Sequence, residues 1–266
     1  PITIAGKSMQ PVVQERELIK WTILQNWDYV EETGDFFFTQ QYDTTPSDLI
    51  VTRLAPDGTE TYMRFLNSGH GNQLSVEYED EEHIYLWMNA NGDIGNSHDS
   101  IMRVLWEDGG VVDNDAEHLW KLDGVTYGPA VSVDKEMGLV AVHVKQGTTM
   151  TVQFYDLESM LNKEPILIHS YDILLGTDAT QMGYYSFQGI CLHDGILYRL
   201  EGEPEDDIYL AAVDMQGNVL YRELVLGYET IEYREPEGVQ VVDDVIHIGI
   251  GSGASGNRRA NVFAVK

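Results

Sequence analysis

The stretch Tyr233–Lys266 reads YREPEGVQVVDDVIHIGIGSGASGNRRANVFAVK. Two β-patterned runs, Val239–Val242 and Val245–Ile250, flank an Asp243-Asp244 turn. A Gly-rich loop follows, then a last run, Ala260–Val265. Three strands make a poor sheet, because an open edge invites pairing with another chain. A fourth strand is therefore expected from elsewhere in the sequence. The loop Gly251-Ser252-Gly253-Ala254-Ser255-Gly256 also fits the G-x-G-x-x-G dinucleotide pattern. That pattern requires a helix opening there and an acidic residue about 20 positions on. Only ten residues follow Gly256 and they read as strand, so a surface loop is expected instead.

The same grammar recurs upstream. From Trp21 onward each unit reads as an apolar strand, a tight acidic or Gly turn, a second apolar strand, a third and a weaker fourth. The first-to-second-strand turns fall near Gly34, Glu81, Glu136, Asp194 and Asp243, at separations of 47, 55, 58 and 49 residues. A four-stranded unit repeating at roughly 40–50 residues is the mark of a propeller blade. Loops explain the longer intervals: Asn89–Ser100 extends one unit, and Asp156–Lys163 reads as a helical turn or two in another. A β-sandwich would not give a regular inter-unit period. The expected fold is thus an all-β five-bladed propeller in one domain, with blades at about 21–68, 69–124, 125–176, 181–227 and 233–266. Residues 1–20, with β-prone pieces Ile2–Ala5 and Val12–Gln14, are left over to close the fifth blade.

Composition narrows the function classes. The net charge of −28, from 44 acids against 16 bases, excludes the basic footprint of a nucleic-acid binder and disfavours an anionic membrane surface. No apolar run approaches a membrane span, so no membrane insertion is expected. No signal peptide is visible from Pro1. Cys191 is alone, which rules out an intrachain disulfide or a thiolate cluster; it reads as a buried small hydrophobe.

Several short motifs, in order, resemble a known family. They are Gly69-His70-Gly71-Asn72-Gln73 before Ile84-Tyr85-Leu86-Trp87, Tyr127-Gly128-Pro129-Ala130 before Ser132-Val133-Asp134, Phe187-Gln188-Gly189, and Arg234-Glu235-Pro236-Glu237-Gly238. The chain from about residue 21 resembles the five-bladed propeller domains of receptor-binding (baseplate) proteins from phages of Gram-positive bacteria. That family also takes in teichoic acid biosynthesis protein C-like and helveticin-J-like proteins. The resemblance implies a secreted or virion-associated binder of a cell-surface glycan or glycopolymer, with wall teichoic acid as the leading ligand. A homo-oligomer or attachment to a larger assembly fits the same implication.

Aligned by their turns, the units carry a polar residue at the start of the innermost strand: Gln25, Gln73, Gln188 and Glu237, with Pro129 in the third unit. His70 and Arg234 lie just upstream of two of them. Innermost strands line a propeller's channel, so these side chains are expected to converge at one mouth. Amides donate and accept, and a carboxylate accepts, which suits sugar hydroxyls. Hydrogen bonding to backbone or trapped water is the competing role. Trp27, Tyr29, Trp87, Trp106, Trp120 and the Tyr184-Tyr185 pair are candidates for packing on sugar faces, against the alternative of filling the space between blades.

For catalysis and metals the sequence offers little. Asp113-Asn114-Asp115 and Asn89–Asp99 are rich in the oxygen ligands that Ca²⁺ takes, but neither matches the EF-hand pattern, so no cofactor or metal is expected. His98-Asp99 and His193-Asp194 are adjacent pairs without a nucleophile, and no G-x-S-x-G elbow is present. No catalytic residue is assigned. The alternatives to a binding module are a Ca²⁺-dependent hydrolase or lyase of phosphodiester or glycosidic bonds, with Glu237 as acid or base, and a bacteriocin-like interaction protein.

Overall fold

The computed structural model of the chain describes residues 1–43, 48–70, 73–90, 100–113, 119–121, 129–146 and 148–266. After β1 (Met9–Arg16), the first blade holds β2 (Leu24–Val30), β3 (Asp35–Gln41), β4 (Leu49–Leu54) and β5 (Glu60–Phe65). The second holds β6 (Leu74–Asp80), β7 (His83–Ala90), β8 (Ser100–Leu105) and β10 (Leu119–Lys121), with β9 (Val111–Val112) lying between the last two in sequence. The third holds β11 (Ala130–Asp134), β12 (Leu139–Gln146), β13 (Thr149–Asp156), the short helix α1 (Leu157–Leu161) and β14 (Leu167–Leu174). The fourth holds β15 (Phe187–His193), β16 (Ile196–Gly202), β17 (Ile208–Val213) and β18 (Val219–Leu224). The fifth holds β19 (Glu235–Val242), β20 (Val245–Ser252) and β21 (Arg259–Val265).

Each blade is an antiparallel meander, and β2, β6, β11, β15 and β19 pack consecutively around a central channel. Five hydrophobic cores lie among the described residues, one between each neighbouring pair of blades. Both faces of most strands are therefore buried. In β12, Ala141 packs toward the fourth blade, while Val140, Val142 and Val144 pack toward the second. That explains the near-continuous apolar run of Leu139–Val144, where a half-exposed strand would alternate. Trp27, Trp87, Trp106 and Trp120 all sit in these inter-blade cores, so they fill space and are not the sugar platforms considered above.

The hairpins between first and second strands follow from their turn residues. Asp194-Gly195 has φ of 49° and 75°, and Asp243-Asp244 has 49° and 56°. Positive φ at both central positions is the hairpin turn whose twist matches the flanking strands, and Asp tolerates it better than most residues. The helical turn expected near Asp156 is α1, capped by the Asp156 carboxylate, which accepts from the Ser159 N–H at 2.8 Å.

The fifth blade closes as the sequence predicts: β1 pairs antiparallel with β21, from Met9 opposite Val265 to Arg16 opposite Ala260. Ser8 and Lys266 exchange two backbone hydrogen bonds of 3.1 Å each. The expected Ile2–Ala5 strand is absent. That segment instead straps the fourth blade, where Ile4 is buried and the Tyr221 hydroxyl donates to the Ile2 carbonyl at 2.6 Å. A second departure lies at the outer edge of the second blade. Between β8 and β10 the chain crosses to the first blade, where β9 adds a parallel fifth strand on β5. A two-residue strand leaves no periodicity for sequence reading to find.

Candidate functional site

The inner strands carry an equivalent polar position, Asp28, Ser75, Ser132, Cys191 and Gln240, and each bonds to the next strand. Asp28 accepts from the Val76 N–H (2.6 Å), Ser75 from Val133 (3.1 Å) and Ser132 from Leu192 (2.8 Å). The Cys191 sulfur accepts from the Val241 N–H, and Gln240 completes the circuit by donating to the Trp27 carbonyl at 3.0 Å. Inner strands in different blades share no ladder, so these side chains satisfy backbone groups that would otherwise be buried without partners. Burial pushes the Cys191 thiol up to about 12 and the Asp28 carboxyl up to about 7, the latter against the pull of the Val76 and Tyr29 N–H groups. This ring is structural, and it gives the lone cysteine its place.

Three residues before that position stand Gln25, Pro129, Gln188 and Glu237. In the second blade the equivalent is Asn72, which lies outside the described residues; Gln73 is one place later and is buried. Strand bulges between Leu24 and Asn26, Phe187 and Gly189, and Pro236 and Val239 set Gln25, Gln188 and Glu237 out of register with their ladders. The three bulges meet. A Cβ on Gly189 would lie 3.0 Å from the Gly238 Cα, and one on Gly238 would lie 2.8 Å from the Asn26 Oδ1. With φ of 151° and 104°, both positions also demand glycine for the backbone alone. The bulged ends of β2, β15 and β19 thus form one mouth of the channel.

At this mouth the Glu235 carboxyl sits against both the Glu237 carboxyl and the Gln188 amide. Gln188 also donates to the Gly202 carbonyl at 2.8 Å. Glu237 is fully enclosed; burial, then the charge and hydrogen bond of Glu235, lift it well above the usual carboxylate range. Burial raises Glu235 as well, opposed by the Gln188 amide and the Arg258 guanidinium. Both carboxyls are thus pushed toward their protonated forms, and they lie in hydrogen-bond contact. Two-carboxylate glycoside hydrolysis needs about 5–9.5 Å between the carboxyls, which this pair does not provide.

The remaining sequence candidates fall into two groups. His70 is exposed and its Nδ1 lies 3.0 Å from the Gln41 amide, beside the loop that opens β2. Arg234 is occupied: its guanidinium lies over the Tyr228 ring at 4.8 Å and donates to the Glu205 carbonyl at 3.0 Å, so it anchors the loop before β19. Tyr184 is exposed, and Tyr185 stacks on Tyr209. His193 meets Asp244 at the opposite end of the channel. His98-Asp99, Asn114 and Asp115 lie outside the described residues, and among the described residues no group of three or more acidic, His or Cys side chains is arranged to hold a metal.

Sequence reading missed Glu235, because it started the strand at Val239, whereas β19 begins four residues earlier. The signal was present: Glu235 and Glu237 are two apart, which in a strand puts both on one face. It also missed Trp21 and Tyr233, both exposed at the mouths of loops.

Amide and carboxyl side chains thus stand at the bulged mouth of a five-bladed propeller. The model of the phage five-bladed β-propeller receptor-binding platform domain matches residues 23–264, and the chain belongs to that family. No curated protein sequence matches it. Among solved structures it is similar to the tail fibre of Staphylococcus aureus phage P68, with TM-score 0.79 and 18% identity over 97% of this chain and 52% of that one. It thus spans about half the length of that tail fibre. More distant fold likeness extends to a GH43_1 enzyme from Xanthomonas citri (TM-score 0.53, 12% identity, 98% of this chain and 91% of that one). An exo-β-1,3-galactanase from Phanerochaete chrysosporium gives TM-score 0.57 at 7% identity, over 97% of this chain and 64% of that one. At such identities the likeness shows the fold alone. Among the described residues no helix is long and apolar enough to cross a membrane.

Proposed function

We propose that this receptor-binding platform, carried on a phage particle as part of its tail assembly, recognises a glycan of the host cell surface, with wall teichoic acid or a related glycopolymer as the leading ligand. The observation that carries the reading is the contact of Glu235 with Gln188 and Glu237 where the bulged ends of β15 and β19 meet that of β2. The partly exposed Gln188 amide both donates to and accepts from hydroxyl groups, and the Glu235 carboxyl beside it accepts from them, with the enclosed Glu237 behind. His70 extends the polar rim on the first-blade side, whereas Gln73 is buried and Arg234 anchors the loop before β19. The net charge of −28 repels a bare phosphodiester backbone, so the sugar portions of such a polymer are the parts this face suits.

The test is sedimentation of the labelled chain with purified Gram-positive walls before and after chemical removal of their teichoic acid. Saturable binding that disappears with the polymer is expected. Gln188→Ala should weaken it by about 1 kcal/mol with little change in melting. Release of soluble sugar or phosphate during the incubation would replace the binding module by the hydrolase or lyase alternative.

A further inference from the structure

Three exposed aromatic side chains occupy one structural position. Trp21, Tyr184 and Tyr233 each lie seven residues before the equivalent ring residues Asp28, Cys191 and Gln240. They are 50%, 48% and 52% exposed, in contrast to Trp27, Trp87, Trp106 and Trp120, which the blades enclose. Because they precede β2, β15 and β19, they stand on the loops around the bulged mouth, in the consecutive fourth, fifth and first blades.

Each is held by its backbone. The Gln40 amide donates to the carbonyls on either side of Trp21, those of Lys20 (3.0 Å) and Thr22 (2.7 Å). Beside Tyr184, the Gly183 N–H donates to the buried Glu201 carboxylate at 2.8 Å and the Ser186 N–H to Glu203 at 2.9 Å. Tyr233 takes the strained φ of 53°, and its N–H donates to Glu205 at 2.7 Å. Strain of this kind concentrates at ligand clamps, and fixed aromatics lose little entropy on binding. Tyr233 also lines a groove of about 720 Å³, whose wall includes Gln14, Asn257 and Arg259 as hydrogen-bonding groups.

We propose that Trp21, Tyr184 and Tyr233 form an arc of stacking platforms for successive sugar rings of one glycan polymer. This rests on the glycan-receptor reading and deepens it: the bound units are the glycosyl rings, whose apolar faces pack on aromatics, and not the linking backbone. Repeated weak contacts along one chain then add through high effective concentration.

The experiment compares glycosylated wall teichoic acid with the same polymer stripped of its sugars, against the unaltered chain and Trp21→Ala, Tyr184→Ala and Tyr233→Ala, singly and combined. The unaltered chain should bind the glycosylated polymer at least tenfold more tightly than the stripped one. Each single variant should lose roughly tenfold, with unchanged melting because the side chains are exposed. The triple variant should no longer distinguish the two polymers. A triple variant that binds the glycosylated polymer like the unaltered chain overturns the arc and leaves the receptor reading standing. Failure of the unaltered chain to bind either polymer overturns both.

Discussion

The two ends of the channel are built by different means. At one end the first and second strands of the blades meet in tight hairpins such as Asp194-Gly195 and Asp243-Asp244, fixed by local turn chemistry. That end carries acidic groups including Glu31, Glu32, Asp134 and Glu136 around a cavity of about 230 Å³. At the other end the blades are joined by longer connections, residues 175–186 and 225–234 among them, which turn rings outward and are pinned by carboxylates beneath. The hairpins need only the right residue at two positions. The long connections need partners from distant parts of the chain, and they leave side chains free to face a ligand. Recurrence alone does not mark function: the ring led by Asp28 recurs because neighbouring strands lack a ladder, whereas the aromatics recur as exposed side chains on the long connections.

The largest expected effect breaks the loop end. Glu201 bonds Arg199 and Arg222 and accepts the Gly183 N–H, so it carries the loop that bears Tyr184. Glu201→Leu leaves two buried guanidinium groups without a counter-charge, at a cost of about 3–5 kcal/mol. Differential scanning calorimetry should record a melting temperature lower by roughly 10 °C, and glycan binding should weaken in the same sample. A change below about 2 °C would show that the loop stands without its anchor.

A smaller effect belongs to the ring. Asp28→Ala strands the Val76 and Tyr29 N–H groups, both of which Asp28 accepts. The loss should be about 1–3 kcal/mol in urea unfolding, with glycan affinity for the folded protein intact. Lost affinity at full stability would assign function to the ring and dissolve the contrast between the two ends.

Smaller still is the pH dependence of the carboxyls. Asp28 is raised to about 7, and Glu237 lies well above its usual range. In the unfolded chain both release their protons near pH 4, so between about pH 4 and 7 the folded state binds more protons and its stability falls as pH rises. Glu237→Gln still donates to Glu235 but has no proton to lose. It should melt at the same temperature as the unaltered chain near pH 4 and at a higher one above pH 7. A variant that melts lower at pH 8 would mean that Glu237 is charged in the fold. The least effect is expected from EDTA: the melting temperature should move by less than about 2 °C, and a shift near 10 °C, several kcal/mol at this size, would require a structural cation.

Much of this was legible in the residues. Strand patterns and turn residues recur at blade spacing, and the three-strand end called for the N-terminal closing strand. Asp156 before a short apolar run announced α1. What escaped reading depended on contacts between blades. The bulge that starts β19 at Glu235 exists because Gly238 must approach Asn26 and Gly189, which no local pattern records. Arg234 looked available, but Tyr228 in its own connection and Glu205 from the fourth blade take its guanidinium. The equivalence of Trp21, Tyr184 and Tyr233 emerges only after the ring fixes the register of the inner strands, because sequence turns alone misplace the second blade by one residue at Gln73.

Hydrogen exchange of backbone amides, followed by mass spectrometry with and without saturating glycosylated wall teichoic acid, tests the central claim most directly. Slowed exchange in the segments that lead into β2, β15 and β19, with no change in the hairpins at Glu31, Asp194 and Asp243, is the predicted result. Protection confined to those hairpins, or to the outer strands β14 and β18, would contradict it.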